Sequence, residues 1–183
     1  MEEGELRVTK KRLSLKFGFT AAATATTKQF GTDEKRYSQM LADCKLGYDL
    51  GYDCAWVLEH HFTDYFPTPS PTVVMSHLAA AFPGLSLGSC VLVLPWYNPL
   101  RLAEEISMLS HFCKGDLHLA FGRGTAKIEY DAYDIDMSSA KERFKEAIEI
   151  INHALSGEPF DFDGQFYKVG RRVAVRPKPN RSK

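Results

Sequence analysis

The stretch Ala55–Phe62, which reads Ala-Trp-Val-Leu-Glu-His-His-Phe, decides the fold. Four largely apolar residues, typical of a short buried strand, run directly into Glu59, His60 and His61. One interpretation is that a parallel strand delivers an acid and two imidazoles to the carboxyl edge of an α/β fold, where active sites lie. The alternative is that the strand simply ends there and the chain returns to water. The other predicted strands distinguish between the two.

The composition is that of an ordinary globular chain. Its 183 residues are 44% hydrophobic and 25% charged, which favours a single domain with a real core. Lys+Arg and Asp+Glu are both 23, and this balance favours neither a nucleic acid nor a membrane as partner. No apolar run reaches the roughly 18–20 residues that span a bilayer. The four cysteines form no C-x-x-C pair and predict free thiols in a reducing cytoplasm, so we expect a cytoplasmic protein.

Apolar segments alternate with helical patterns four times along residues 13–156. The predicted strands are Leu13–Phe19, Cys54–Leu58, Leu85–Leu94 and Leu117–Phe121. A helix is predicted after each strand: Asp33–Leu50 and three more that begin near Pro71, Pro99 and Ala140. Continuous apolar strands separated by helices are typical of an α/β fold with a parallel sheet covered by helices.

Each predicted helix has one apolar face, and three have a clear start signal. Ser70-Pro71 and Asn98-Pro99 each place a capping residue before a proline, and Ser139–Glu142 is interpreted as a capping box. The predicted buried faces are, in chain order, Tyr37, Leu41, Cys44 and Tyr48; Val74, His77, Leu78 and Ala81; Leu102, Ala103, Ile106 and Leu109; and Phe144, Ala147, Ile148, Ile151 and Leu155.

The two ends of the chain lack this alternation. Residues 1–12 are mostly charged and predict a disordered lead-in. Residues 157–183 predict a hairpin around Asp163-Gly164, followed by a tail rich in proline and basic residues.

Polar side chains collect at the predicted strand ends. The ends of parallel strands share one edge, so we expect a site that contains Thr20, the group Glu59–His61, Trp96, Asn98 and Arg123. A metal site would need a third ligand at a matching position, and none is predicted.

Two of these residue types allow competing interpretations. Neighbouring side chains of an extended segment point to opposite faces, so one of His60 and His61 is expected to function while the other packs or caps. Arg123 lies between two glycines, which suits close approach to a ligand and a bidentate grip on phosphate. The alternative for Arg123 is an ordinary surface arginine in a turn.

Several motifs, in the same order and spacing, resemble those of the bacterial luciferase-like flavin monooxygenase family. The resemblance runs from about Lys16 to Val175. The motifs that carry it are Gly51–Asp53, Trp56–Phe62, Leu94-Pro95, Asn98–Glu105, Gly122–Gly124 and Phe162–Tyr167.

The resemblance implies a (β/α)8 barrel that binds reduced FMN at its carboxyl rim and uses O2 to oxidise an aldehyde or another small organic substrate. This chain carries about four of the eight βα units of such a TIM-type barrel, so a half or incomplete barrel is expected. Four strands cannot close, and we therefore expect a homo-oligomer or pairing with a fuller homologue. A separate flavin reductase is a further candidate partner.

The resemblance also assigns roles to residues. His60 matches the catalytic imidazole of the family, and Glu104 matches an acidic residue tied to the pocket. Arg123, with Gly122 and Gly124, matches the FMN phosphate site. A non-prolyl cis peptide is expected near Cys90-Val91, and these two residues are predicted to contact the cofactor, as are Asn98 and Glu59.

The sequence departs from the family at several positions, including Leu109-Ser110 and Gly115-Asp116. Two alternatives to a monooxygenase therefore stay open. One is a truncated, non-catalytic module of the family that acts through dimerisation or weak flavin binding. The other is a deazaflavin-dependent reductase of the same superfamily, because residues that grip phosphate do not report the chemistry of the ring.

Overall fold

A computed structural model describes residues 15–23 and 31–180. The predicted lead-in, residues 1–12, lies outside the described residues. The strands are β1 (Gly18–Ala21), β2 (Cys54–Val57), β3 (Ser86–Val93), β4 (Leu117–Gly122), β5 (Phe160–Asp163) and β6 (Lys168–Val173). The helices are α1 (Asp33–Asp49), α2 (Pro71–Ala81), α3 (Pro99–Phe112), α4 (Lys127–Ala132) and α5 (Ala140–Ser156). Single 3-10 turns lie at Leu94–Trp96 and Met137–Ser139.

The first four strands form one parallel sheet in the order β1-β2-β3-β4, which confirms the predicted α/β class. Two successive rows of paired residues show how its faces differ. The row Thr20, Trp56, Gly88 and His118 has exposed side chains at both ends. The row Phe19, Ala55, Leu87 and Leu117 packs against the helices. One face of the sheet is therefore covered by helices, and among residues 15–23 and 31–180 nothing covers the face that would line a barrel.

The predicted face of helix α1 is confirmed in part. Its buried residues are Arg36, Met40, Cys44 and Gly47, of which Cys44 was predicted. Tyr37 and Leu41 of the predicted face are partly buried against the same core, and Tyr48 is exposed. A Cβ atom on Gly47 would lie 2.6 Å from the Phe19 ring, so the glycine lets the helix approach β1 closely. This contact, which the apolar periodicity of the helix does not reveal, places Gly47 in the buried stripe.

The apolar faces of the later helices are predicted with mixed success. In α2, Leu78 is buried as predicted, but Thr72, Met75 and Ala79 accompany it, and His77 and Ala81 are exposed. The predicted face of α3 is confirmed in full. In α5, Ala147 and Ile151 are buried as predicted, together with Ile150 and Ala154, because β5 and β6 cover a second side of this helix.

One of the three predicted helix starts is confirmed in detail. The Asn98 side-chain oxygen accepts the backbone N–H groups of Leu100 and Arg101 at 3.1 Å each. Ser70 precedes α2, but its side chain makes no capping bond. The capping box at Ser139–Glu142 is wrong, because Ser139 has a helical backbone conformation and Glu142 pairs with Lys145 instead.

Strand β3 contains an irregularity between Ser89 and Leu92, where its pairing with β4 changes register. The Cys90–Val91 peptide is cis, as the family resemblance implies. The buried Ser89 hydroxyl spans the interruption: it donates to the Ala120 carbonyl and accepts the Ala120 N–H, both at 3.0 Å. A side chain thus replaces part of the backbone ladder at this point.

The predicted hairpin is confirmed as the antiparallel pair β5–β6. Its turn is held against α5 by Glu146, whose carboxylate accepts the backbone N–H groups of Gln165, Phe166 and Tyr167 at 2.9–3.1 Å. The hairpin therefore covers α5 and leaves the open sheet face free. Within residues 15–23 and 31–180, no helix combines the length and apolar character needed to cross a bilayer.

Candidate active site at the carboxyl edge of the sheet

The Glu59 carboxylate follows β2 and links the end of this strand to β3 through hydrogen bonds. Its side chain is fully buried. One oxygen lies 2.9 Å from His61 Nε2, and the other accepts the Val93 N–H at 3.0 Å. Burial raises the pKa of Glu59 above its ordinary value, and the contacts with His61, Val93 and Tyr97 oppose that rise. Both oxygens are engaged by the protein, and the contact of Glu59 with a cofactor stays a prediction.

His61 is a buried structural residue. Its Nε2 faces Glu59, and its Nδ1 lies 2.9 Å from the Tyr133 hydroxyl. Its backbone N–H donates to Glu129 at 3.0 Å. Because both ring nitrogens already have partners, His61 is committed to holding the end of β2 in place.

His60 has the opposite character. Its side chain is 38% exposed, and its Nδ1 lies 3.6 Å from Glu129 Oε1. The ring lies beside Tyr65 and stacks on Phe66, with ring centroids 5.7 Å and 6.0 Å away. The geometry leaves His60 as the accessible imidazole of the pair, which fits the expectation that one histidine packs and the other is available.

The loop that follows His60 is held by a buried arginine on α1. The Arg36 guanidinium donates to the side chain and to the carbonyl of Asp64, both at 2.7 Å. The Tyr37 hydroxyl donates to the Pro67 carbonyl. Phe66 adopts a positive φ of 50°, a conformation that bulky residues rarely take, so these anchors hold a strained aromatic residue against His60.

Helix α4 supplies residues that sequence reasoning missed. Glu129 and Tyr130 are buried there, and Tyr133 follows directly. The Trp96 ring contacts Tyr130 and Tyr133 at centroid distances of 4.5 Å and 5.1 Å. A six-residue helix is too short to show periodicity. The only available signal was an acid followed by two tyrosines shortly after a predicted strand end.

Arg123 directly follows β4 and is exposed, with its carbonyl accepting the Tyr130 hydroxyl. Among the described residues its guanidinium forms no ion pair. The flanking glycines are required by packing: added Cβ atoms would lie 2.5 Å from Val91 at Gly122 and 2.8 Å from Val93 at Gly124. Their fit against β3 accounts for both glycines without close approach of a ligand.

Two further predicted site residues lie elsewhere. Glu104 shares the exposed face of α3 with Arg101 and Met108, opposite the face that packs on the sheet, so the structure does not bring it to His60. Asn98 uses its side-chain oxygen to cap α3, and its contact with a cofactor stays a prediction. Within the described part of the chain, no three His, Cys, Asp or Glu side chains come together as metal ligands.

Comparison with known proteins identifies the family. The sequence model of the luciferase-like monooxygenases matches residues 15–182. The chain belongs to this family. The uncharacterised protein y4vJ of Sinorhizobium fredii is 32% identical over 124 residues, which are 68% of this luciferase-like chain and 35% of y4vJ. The oxygenase component of the flavin-dependent trigonelline monooxygenase of Acinetobacter baylyi is 27% identical, over 81% of the chain and 41% of its own length.

Solved structures agree on the fold of the luciferase-like chain. The monooxygenase RslO1 of Streptomyces bottropensis superimposes with a TM-score of 0.83 at 24% identity, over 90% of this chain and 50% of that one. The oxygenating constituent of 3,6-diketocamphane monooxygenase from Pseudomonas putida, in complex with FMN, gives a TM-score of 0.78 at 16% identity, over 89% and 48%. The chain spans half or less of the length of these relatives.

Proposed function

We propose that this chain provides the amino-terminal half of an FMN-dependent monooxygenase site, which uses reduced flavin and O2 to oxidise an aldehyde or another small organic substrate. The observation that carries the proposal is the accessible His60 at the carboxyl edge of the sheet. Its Nδ1 lies 3.6 Å from the buried Glu129 carboxylate, which accepts the backbone N–H of the buried His61. An exposed imidazole on a buried, hydrogen-bonded support suits a group that moves protons.

The residues present fit one side of an FMN molecule. Exposed Arg123 at the end of β4 is available to bind the phosphate, since among the described residues it forms no ion pair. Exposed Cys90 and half-buried Val91 offer surface to the ring on the neighbouring strand. Bound in its reduced form, the flavin supplies the electrons that activate O2. In this arrangement Arg123 binds, Cys90 and Val91 orient, and His60 gives or takes a proton.

A small-molecule substrate and a separate flavin reductase are the proposed partners. The two relatives described as an oxygenase component and an oxygenating constituent support the second of these. Such names describe proteins that work beside another component, and a reductase would deliver the reduced flavin.

Titration of the purified chain with FMN, followed by flavin fluorescence, tests the proposal. Arg123→Ala should weaken binding, whereas His60→Ala should lower turnover and leave binding nearly unchanged. Arg171→Ala, which removes an exposed arginine from β6, serves as the matched control. A dissociation constant weaker than about 1 mM, which is only about 4 kcal/mol of binding, would contradict the FMN assignment. Repeating the titration with a deazaflavin tests the reductase alternative.

A second candidate function is a non-catalytic module that acts by pairing with a second copy or a fuller homologue. The open sheet face favours it, because Thr20, Cys90 and His118 are exposed where a barrel would be filled. Size-exclusion chromatography with light scattering tests the pairing, and a stable folded monomer without flavin binding would contradict both candidates.

A further inference from the structure

The buried carboxylate of Glu129 lies at the point where the end of β2 meets helix α4. We infer that Glu129 is a positioning residue: it orients the His60 imidazole and keeps the proton of the neutral ring on Nδ1. This inference rests on the role proposed for His60 in the function above.

Two contacts of a single oxygen support the inference. Glu129 Oε1 accepts the His61 backbone N–H at 3.0 Å and lies 3.6 Å from His60 Nδ1. The side chain of Glu129 is only 3% exposed, so water screens its charge weakly. A buried carboxylate needs partners that donate hydrogen bonds, and the peptide N–H and the imidazole are the donors at hand.

The chemistry of a neutral imidazole determines which nitrogen of His60 carries the proton. One ring nitrogen carries a proton and donates, and the other accepts. An ionised carboxylate only accepts, so it favours the form of His60 with the proton on Nδ1. Nε2 is then the nitrogen that can take a proton from a reacting group. At 3.6 Å the contact is longer than a hydrogen bond, and such contacts tighten when a ligand binds.

Among the residues that the structure describes, the other groups near His60 do not compete with Glu129 for this role. Tyr65 and Phe66 face the ring with their aromatic surfaces. The Glu59 carboxylate is taken up by His61 and Val93. The Asp64 carboxylate pairs with Arg36. Glu129 is therefore the charge that decides which nitrogen of His60 is protonated.

Helix α4 is fixed in a way that suits a positioning role. The Tyr130 hydroxyl donates to the Arg123 carbonyl, and the Tyr133 hydroxyl bonds to His61. Glu129 is thus held between the residue proposed to bind phosphate and the strand end that carries His60. This one short helix would therefore fix the position of the flavin phosphate relative to the His60 imidazole.

The test measures the His60 tautomer by 15N NMR of histidine-labelled protein, with the His60 signals assigned by their loss in His60→Gln. The full chain should show Nδ1 protonated and Nε2 unprotonated once the ring is neutral. Glu129→Gln keeps an acceptor for the His61 N–H but removes the charge, and should measurably weaken this preference. Glu129→Asp should retain it in part. Glu142→Gln, an exposed carboxylate on α5, is the matched control and should change nothing.

Turnover and FMN binding complete the test. In Glu129→Gln, turnover should fall by about 10- to 100-fold while the FMN dissociation constant changes by less than about twofold. A full chain with the proton on Nε2, or an unchanged tautomer in Glu129→Gln, overturns the inference. Should Glu129→Gln fail to fold, the tautomer of the full chain and of Glu129→Asp still decides. A chain that shows the tautomer change but binds no flavin would sink the proposed function alone.

Discussion

The two faces of the four-stranded sheet differ in how deeply their side chains are buried. On the helix-covered face, Ala55, Val57 and Leu87 are fully buried. On the face that would line a barrel, Thr20, Cys90 and His118 are exposed although they lie in the same sheet. The same backbone therefore supports a finished core on one side and an open surface on the other.

This difference shows which face of the sheet is already packed by the described residues. The helix-covered face carries a core of buried apolar residues from strands β1 to β3 and helices α1 to α3, with Leu117 of β4 packed against it. The open face has one packed patch, where Trp56 lies across two neighbouring strands and stacks on His118 at 5.7 Å. The candidate site lies at the edge between the two faces. Its residues are therefore packed against the protein on the helix-covered side only.

Removing a large side chain from the helix-covered face should have the largest effect. Leu87→Ala would leave a cavity between β3 and the helices and should lower the free energy of unfolding by about 2–5 kcal/mol. Urea unfolding followed by circular dichroism measures it. A loss below about 1 kcal/mol would show that this face is less tightly packed than the structure describes.

The second-largest loss of stability is expected from a substitution in the packed patch of the open face. A Cβ atom at position 88 would lie 2.3 Å from the Trp56 ring. Gly88→Ala should therefore displace the indole and cost about 1–3 kcal/mol of stability, with a change in tryptophan fluorescence. Gly170→Ala has no atom within 4 Å of the new methyl group and serves as the control. Unchanged fluorescence and stability in Gly88→Ala would mean that Trp56 does not cover β3.

The sequence predicted the parallel array because apolar runs and intervening helices are local signals. Asn98-Pro99 and the hairpin around Asp163-Gly164 were predicted for the same reason. The faces of α1 and α2 were predicted only in part because the buried stripe also depends on partners, such as Phe19 against Gly47, that are distant in sequence.

The candidate site was only partly predictable. His60 and Arg123 follow strands that the sequence reveals, and the structure places them at the same edge. Glu129 bonds to a residue 68 positions away, and Arg36 to one 28 positions away. No spacing rule connects such pairs. Glu104 was assigned by resemblance, which reports position in a motif and not which face of a helix is buried.

The packing at the edge between the two faces can be tested through the pH dependence of stability that Glu59 causes. Burial favours its neutral form, so the pKa of Glu59 in the folded chain lies above the ordinary value of 4.5. The stability that comes from this preference is complete below the unfolded pKa and is lost as pH rises through the folded pKa. Relative to wild type, Glu59→Gln should therefore become more stable as pH rises through that window.

Urea unfolding at several pH values measures this difference. Glu59→Ala is the contrasting variant: it leaves the Val93 N–H and His61 Nε2 without their partner and should cost about 1–3 kcal/mol. Glu149→Gln, an exposed carboxylate on α5, controls for the loss of one surface charge. A difference between Glu59→Gln and wild type that does not vary with pH would show that Glu59 is ionised in the folded chain as readily as in the unfolded one.

The smallest effect is expected at Cys90, in the same strand as Leu87. Its side chain is exposed on the open face, so Cys90→Ala should change the free energy of unfolding by less than about 0.5 kcal/mol. The thiol should also react first with a disulfide reagent. Cys44 and Cys54 are buried, and burial raises the pKa of each thiol from 9.0 to about 11, which leaves about a hundredfold less thiolate. Slow labelling of Cys90 in the folded chain would mean that the open face is covered in solution, and labelling that quickens on dilution would identify a second copy as the cover.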